Sequence, residues 1–171
     1  MSDLKVAYNH LNTLSLPWTL ILHSKISKIL VTGGAGYIGS HTAKQLVNSG
    51  YDLTIVDTLY SGHRWAIPNG VDFHQLNAGD LGHMSRVLEK RQIEAVIHFA
   101  GHIVDPESVK DPDKYYRNNV TGAMNLIKAC QESGVGLFVF SSSAAVYGAV
   151  SYTHLRAHET LRYLVCRLLL E

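Results

Sequence analysis

The chain has 171 residues, with 15 Lys+Arg against 14 Asp+Glu, a formal net charge of +1, 46% hydrophobic and 17% charged residues. That length fits one domain, and the composition supports a packed core while excluding a disordered chain, a charge footprint for nucleic acid and the run of ~20 apolar residues a membrane span needs. Two cysteines, Cys130 and Cys166, exclude a disulfide framework and a thiolate-rich metal site, so a cytoplasmic globular protein is expected.

Residues 1–27 lack a clear period. The apolar stretch 14–22 (LSLPWTLIL) is interrupted by Pro17 and has no basic leader or cleavage site, so it reads as an extension or an early start codon and not as a secretory signal. From Lys28 the pattern sharpens. Residues 28–32 (KILVT) form a β-branched apolar run of the kind buried on both faces of a parallel sheet. A glycine-rich turn follows, then a helix over 40–49 with Ala43, Leu46 and Val47 on one face, stopped at Gly50. Strands are expected at 53–56 (LTIV), 71–76 (VDFHQL), 95–99 (AVIHF) and 137–140 (LFVF). Helices are expected at 84–91 and 114–133, the second with Ala123, Leu126, Ile127 and Cys130 on its apolar face. This alternation predicts an α/β fold, a doubly wound parallel (Rossmann-type) sheet, truncated after the fifth strand.

The first strand runs into Thr32-Gly33-Gly34-Ala35-Gly36-Tyr37-Ile38-Gly39. Three glycines fit a dinucleotide-binding turn. Gly33 permits a sharp exit from the strand, Gly36 lets backbone N–H groups approach a pyrophosphate, and Gly39 allows close packing of the helix. The helix N-terminus offers further donors and partial positive charge. Asp57 closes the second strand, where a carboxylate accepts from ribose hydroxyls and repels a 2′-phosphate, which favours NAD over NADP. Arg64 nearby partly offsets that preference. No His/Cys cluster or HExxH pattern is present, so no metal is expected. His98, inside its strand, reads as a core histidine with its hydrogen bonds satisfied.

The spacing of TGGAGYIG, together with VIHFAG (96–101), YYRNNVTG (115–122) and FSSSAAVYG (140–148), resembles the NAD-dependent epimerase/dehydratase family of extended short-chain dehydrogenases/reductases. Within it, the likeness is closest to enzymes that interconvert UDP-glucose and UDP-galactose by transient oxidation at sugar C4. The resemblance implies that Gly33, Gly36, Tyr37, Ile38 and Gly39 line the pyrophosphate of NAD and that Asp57 holds a ribose. It implies that Asp80 and Leu81 flank the adenine, that Phe99, Ala100 and Gly101 wall the cofactor, and that Asn118 contacts it. Ser143 is implied as the active-site serine, and a UDP-hexose as substrate of a homodimeric full-length parent. Some members carry Lys two residues after the glycine of FAG; this chain has His102-Ile103, so no cationic contact is carried over there. A related dehydratase would place an Asp-Glu pair beside the serine, where this chain has Ala144-Ala145. A short non-catalytic dinucleotide-binding module is the alternative of a different class.

In the family, a tyrosine of a Tyr-x-x-x-Lys pair takes the proton from the sugar hydroxyl. The sequence contains no such pair; Tyr60/Arg64, Tyr152/Arg156 and Tyr163/Arg167 share the spacing with arginine. Residues 150–160 (VSYTHLRAHET) back-translate to a transposon-end sequencing adapter, and 164–171 (LVCRLLLE) to its outer segment. The expectation is therefore an extension at 1–27, a partial NAD-binding domain at 28–149, and a tail at 150–171 that is translated adapter. The pairing of His154 with His158 is then an accident of codons. An isolated chain without the tyrosine base is expected to be inactive.

Overall fold

The structure, a computed structural model, describes residues 26–142. Ser143, the tail at 150–171 and most of the extension at 1–27 lie outside the described residues. Five strands pair in parallel: β1 (Lys28–Thr32), β2 (Asp52–Asp57), β3 (Asp72–Gln75), β4 (Ala95–His98) and β5 (Leu137–Phe140). Their order is β3-β2-β1-β4-β5. The chain thus winds outward from β1 through β2 to β3, then returns to the other side of β1 for β4 and β5. The reversal opens a crevice at the carboxyl ends of β1 and β4, the place where ligands bind in open α/β sheets.

Side-chain alternation along the central strands feeds two cores, one on each face. Ile29, Val31, Leu53, Ile55 and Ala95 pack with Ala43, Leu46 and Val47 of helix α1 (Tyr37–Asn48). Leu30, Val56 and Val96 point the other way, onto helix α2 (Leu81–Arg91) through Met84, Val87 and Leu88. Helix α5 (Gly122–Glu132) completes that layer with Leu126, Ala129 and Cys130. Burial of both faces explains why these strands read as continuous apolar runs.

The helices begin earlier than periodicity alone indicates. Helix α1 starts at Tyr37, directly after Gly36; Tyr37 and Ile38 of its first turn are exposed and lie off the face that buries Ala43, so the apolar period does not mark the start. Helix α2 starts at Leu81 because the Asp80 carboxylate accepts from the His83 N–H at 3.0 Å, an N-cap. The helix expected over 114–133 is three segments. Short α4 (Pro112–Tyr115) passes into a π-helical stretch at Tyr116–Thr121, and then into α5. A further helix, α3 (Asp105–Lys110), fills what reads as loop, with Pro106 tolerated in its first turn. Ile127, expected on the buried face of α5, is 49% exposed; the buried stripe runs through Leu126, Ala129 and Cys130, with Ile127 on its outer flank.

Candidate functional site

The turn leaving β1 is fixed by backbone geometry. Gly33 adopts φ +70°, and a Cβ there would stand 2.7 Å from the Ala100 amide nitrogen, so the turn presses against the chain leaving β4. A Cβ on Gly39 would overlap the Gly33 carbonyl oxygen, which shows that this glycine closes the helix onto its own turn and not onto the sheet. At Gly36 a Cβ would meet only the Gly33 carbonyl oxygen, at 3.3 Å. Gly36 is the N-cap of α1 and supplies no side-chain cap, and no acidic residue stands in the first turn. The first helical hydrogen bond runs from Ser40 N–H to the Gly36 carbonyl, at 2.9 Å. Helical geometry gives the amides of Tyr37, Ile38 and Gly39 no acceptor four residues back, so the turn presents donors to an anion.

Asp57 sits at the end of β2, 9% exposed, and its carboxylate braces the turn. Oδ2 accepts from the Ala35 N–H at 2.9 Å and Oδ1 from the Leu59 N–H at 2.8 Å. Leu59 is held in the left-handed region at φ 60°, a conformation that this side-chain bond helps to offset. Each Asp57 oxygen retains a second lone pair. Arg64 is drawn aside, its guanidinium 4.9 Å above the centre of the Phe73 ring. Asp80 is engaged as the α2 cap, with His83 Nδ1 also 2.7 Å from Oδ2; the His83 amide bond in particular holds its carboxyl below the usual range. Leu81 is half-buried against the core, and a shallow cavity of about 350 Å³ opens beside Asp80, lined also by Asn77, Arg117 and Asn125.

Phe99 and Ala100 leave β4 half-buried, packed against opposite cores, and the Phe99 N–H donates to the Thr32 carbonyl at 3.0 Å. Gly101 is exposed. The loop beyond is gripped by Asn119: its Oδ1 accepts from the His102 N–H and its Nδ2 donates to the His102 carbonyl, both at 2.8 Å. Asn118 is next to it, donating to Asn119 Oδ1 at 2.9 Å from within the π-helical stretch. His98 is a core histidine. Its Nδ1 lies 2.6 Å from Thr32 Oγ1, its ring stacks on Phe140, and burial pushes its pKa down to about 4.

Against known families, the model of the NAD dependent epimerase/dehydratase family matches residues 29–165. The chain belongs to that family. A UDP-glucose 4-epimerase of Lactobacillus helveticus is 50% identical over 121 residues, 71% of this chain and 37% of that protein. One of Klebsiella pneumoniae is 44% identical over 128 residues, 71% of this chain and 92% of that sequence. The solved UDP-glucose 4-epimerase of Brucella ovis in complex with NAD superposes with a TM-score of 0.68 at 43% identity, covering 78% of this chain and 41% of that one. The chain thus spans well under half the length of most relatives it matches.

For this member of the epimerase/dehydratase family, the expected residues divide into two groups. Gly33, Gly36, Tyr37, Ile38, Gly39 and Asp57 meet at the carboxyl ends of β1 and β2, with Phe99, Ala100 and Gly101 against them from β4. Asp80 and Leu81 stand apart at the β3–α2 junction, where they cap and anchor a helix. Two residues escaped the sequence reading. Gly34 is one: a Cβ there would stand 2.6 Å from the Ile55 side chain. Asn119 is the other, and its repeat beside Asn118 was the available signal.

Proposed function

We propose that this chain binds NAD as the dinucleotide-binding part of a UDP-glucose 4-epimerase, whose full-length form interconverts UDP-glucose and UDP-galactose. The observation that carries the reading is the 33–39 turn, set at the switch point of the sheet with Asp57 beside it. The residues fit the cofactor. The space over Gly36 is open where a side chain would fill it, the first-turn amides and the helix dipole suit a pyrophosphate, and Asp57 keeps lone pairs for ribose hydroxyls. Phe99, Ala100 and Gly101 would wall the bound molecule, and Asn118 would reach it from the π-helical stretch. Asp80 and Leu81 would border the adenine end. When bound, NAD supplies the hydride acceptor and donor for oxidation and reduction at the sugar C4.

Position and polarity are what the chain itself contributes. Asp57 both excludes a 2′-phosphate and holds the turn through Ala35, so cofactor preference and turn geometry depend on one carboxylate. Ser143, next to the carboxyl end of β5 in sequence, would hydrogen-bond the sugar hydroxyl as the proton leaves. The proton acceptor of the family, the tyrosine of Tyr-x-x-x-Lys, has no counterpart in the sequence, so the 171-residue chain is proposed to bind without turning over. Isothermal titration of the purified chain with NAD, paired with a UDP-galactose turnover assay, tests both parts. Saturable NAD binding with no product is expected. Absence of binding at millimolar cofactor would sink the reading, and steady turnover would sink the inactivity.

A further inference from the structure

The strand order places the carboxyl end of β1, with its glycine turn, between the loops that leave β2 and β4. Any side-chain contact between those two loops therefore passes across the crevice. Such contacts meet at Tyr60, whose hydroxyl donates to Glu107 Oε1 at 3.4 Å. Lys114 Nζ, from α4, donates to the Tyr60 hydroxyl at 2.9 Å and to Glu107 Oε1, and lies 4.6 Å from the centre of the Tyr60 ring. Tyr60 stands three residues beyond β2; Glu107 lies in α3, beyond β4. The second Glu107 oxygen is 2.8 Å from the Tyr115 hydroxyl, which is also bonded to the Val104 backbone, accepting from its N–H at 3.1 Å. His102 fills the space between, its ring 5.0 Å from that of Tyr60 and 5.5 Å from that of Tyr115.

A lone surface ion pair contributes little, because ordering two long side chains offsets the attraction. Here one ammonium meets a carboxylate, a phenol oxygen and an aromatic face at once, and Asn119 already fixes the loop that carries His102. We propose that Tyr60, Glu107 and Lys114 form a clasp joining the two walls of the dinucleotide groove, and that they act as positioning residues setting how long NAD stays bound. The inference rests on the NAD-binding reading above. Lys114 and Glu107 stay ionised through neutral pH: the bond to Glu107 chiefly holds Lys114 above its ordinary range, and the bond to Lys114 chiefly holds Glu107 below its own.

The test uses the 171-residue chain and NADH fluorescence, with stopped-flow mixing for association and displacement by excess NAD for dissociation. Tyr60→Phe removes only the hydroxyl and keeps the ring against His102; Lys114→Met removes the charge and keeps the stem. Each is expected to raise the dissociation rate about three- to fivefold, with the association rate and the melting temperature of the free chain unchanged. The double variant is expected to match the single ones, since both break one unit. Dissociation rates unchanged in Tyr60→Phe, or effects that simply add in the double variant, overturn the clasp. Should Lys114→Met fail to fold, Tyr60→Phe alone decides. If the unsubstituted chain takes up no NADH, the functional reading falls and the clasp with it; if it binds and dissociation ignores the clasp, only the clasp falls.

Discussion

Gly36 and Gly39 stand one helical turn apart and are needed for opposite reasons. An added methyl at Gly39 collides with backbone that has nowhere to go, so Gly39→Ala is expected to cost about 2–3 kcal/mol of stability, read by urea unfolding. At Gly36 the backbone is extended and the only close atom is a carbonyl oxygen at 3.3 Å. Gly36→Ala should therefore stay within about 1 kcal/mol of the parent while weakening NAD binding roughly tenfold or more. Normal NAD affinity in Gly36→Ala would refute the cradle. The spacing of these glycines was legible because the turn sits in line with a strand and a helix; their division of labour was not, since it depends on which atom faces each Cα. His98 gives a second residue-level expectation. Its pKa is lowered to about 4 in the fold by burial, from an ordinary value of 6.5. The unfolded chain then takes up a proton that the folded one refuses. The stability so conferred is complete above about pH 6.5 and is lost as pH falls towards 4, about 3 kcal/mol in all. His102 is pushed the same way, chiefly by burial, and adds to the slope. An NMR titration that places the His98 ring at or above 6.5 would contradict this.

Among the elements, β1 and β5 have the bounds their composition predicts, whereas the helices expected from residues 40, 84 and 114 begin two or three residues earlier, at Tyr37, Leu81 and Pro112. The reason is physical. Short apolar runs announce the strands residue by residue, but the first turns of α1 and α2 are largely exposed and lie off the apolar period. The Asp80 carboxylate on His83 N–H, and the Asp111 carboxylate on Lys114 N–H at 3.1 Å, set starts that an apolar period cannot show. The π-helical stretch is the clearest case. Its extra residue per turn breaks the phase between the segments on either side, so a single 3.6-residue period drawn from 114 to 133 cannot describe both. That same stretch carries Asn118 and Asn119, so the element least legible in the sequence is the one that fixes the loop after β4. The strand ends and the glycine turn were therefore legible in the sequence, and the grip of Asn119 on the loop after β4 was not.

At the scale of the whole molecule, burial falls away from the centre of the sheet. All of β1 but Lys28, all of β2 but Asp52 and all of β4 but Ile97 are buried, while β3 and β5 are half-buried or exposed throughout, with Leu137 44% and Phe140 52% exposed. Local opening costs least where few apolar contacts must be broken, so the sheet should not open as one unit. Native-state hydrogen exchange is expected to show β1, β2 and β4 amides exchanging only through global unfolding. Those of β5 should exchange at least about tenfold faster, through opening of that strand alone. This ranking bears on function. The glycine turn and Asp57 grow from two of the most buried strands, so the proposed NAD-binding turn is held by the full stability of the fold. β5, the strand that precedes Ser143 in the sequence, has no buried residue. Adding NAD should then slow exchange at Ala35 and Leu59, whose amides Asp57 holds, and leave the β5 rates where they were. Protection of β5 equal to that of β1 in the free chain would refute the gradient.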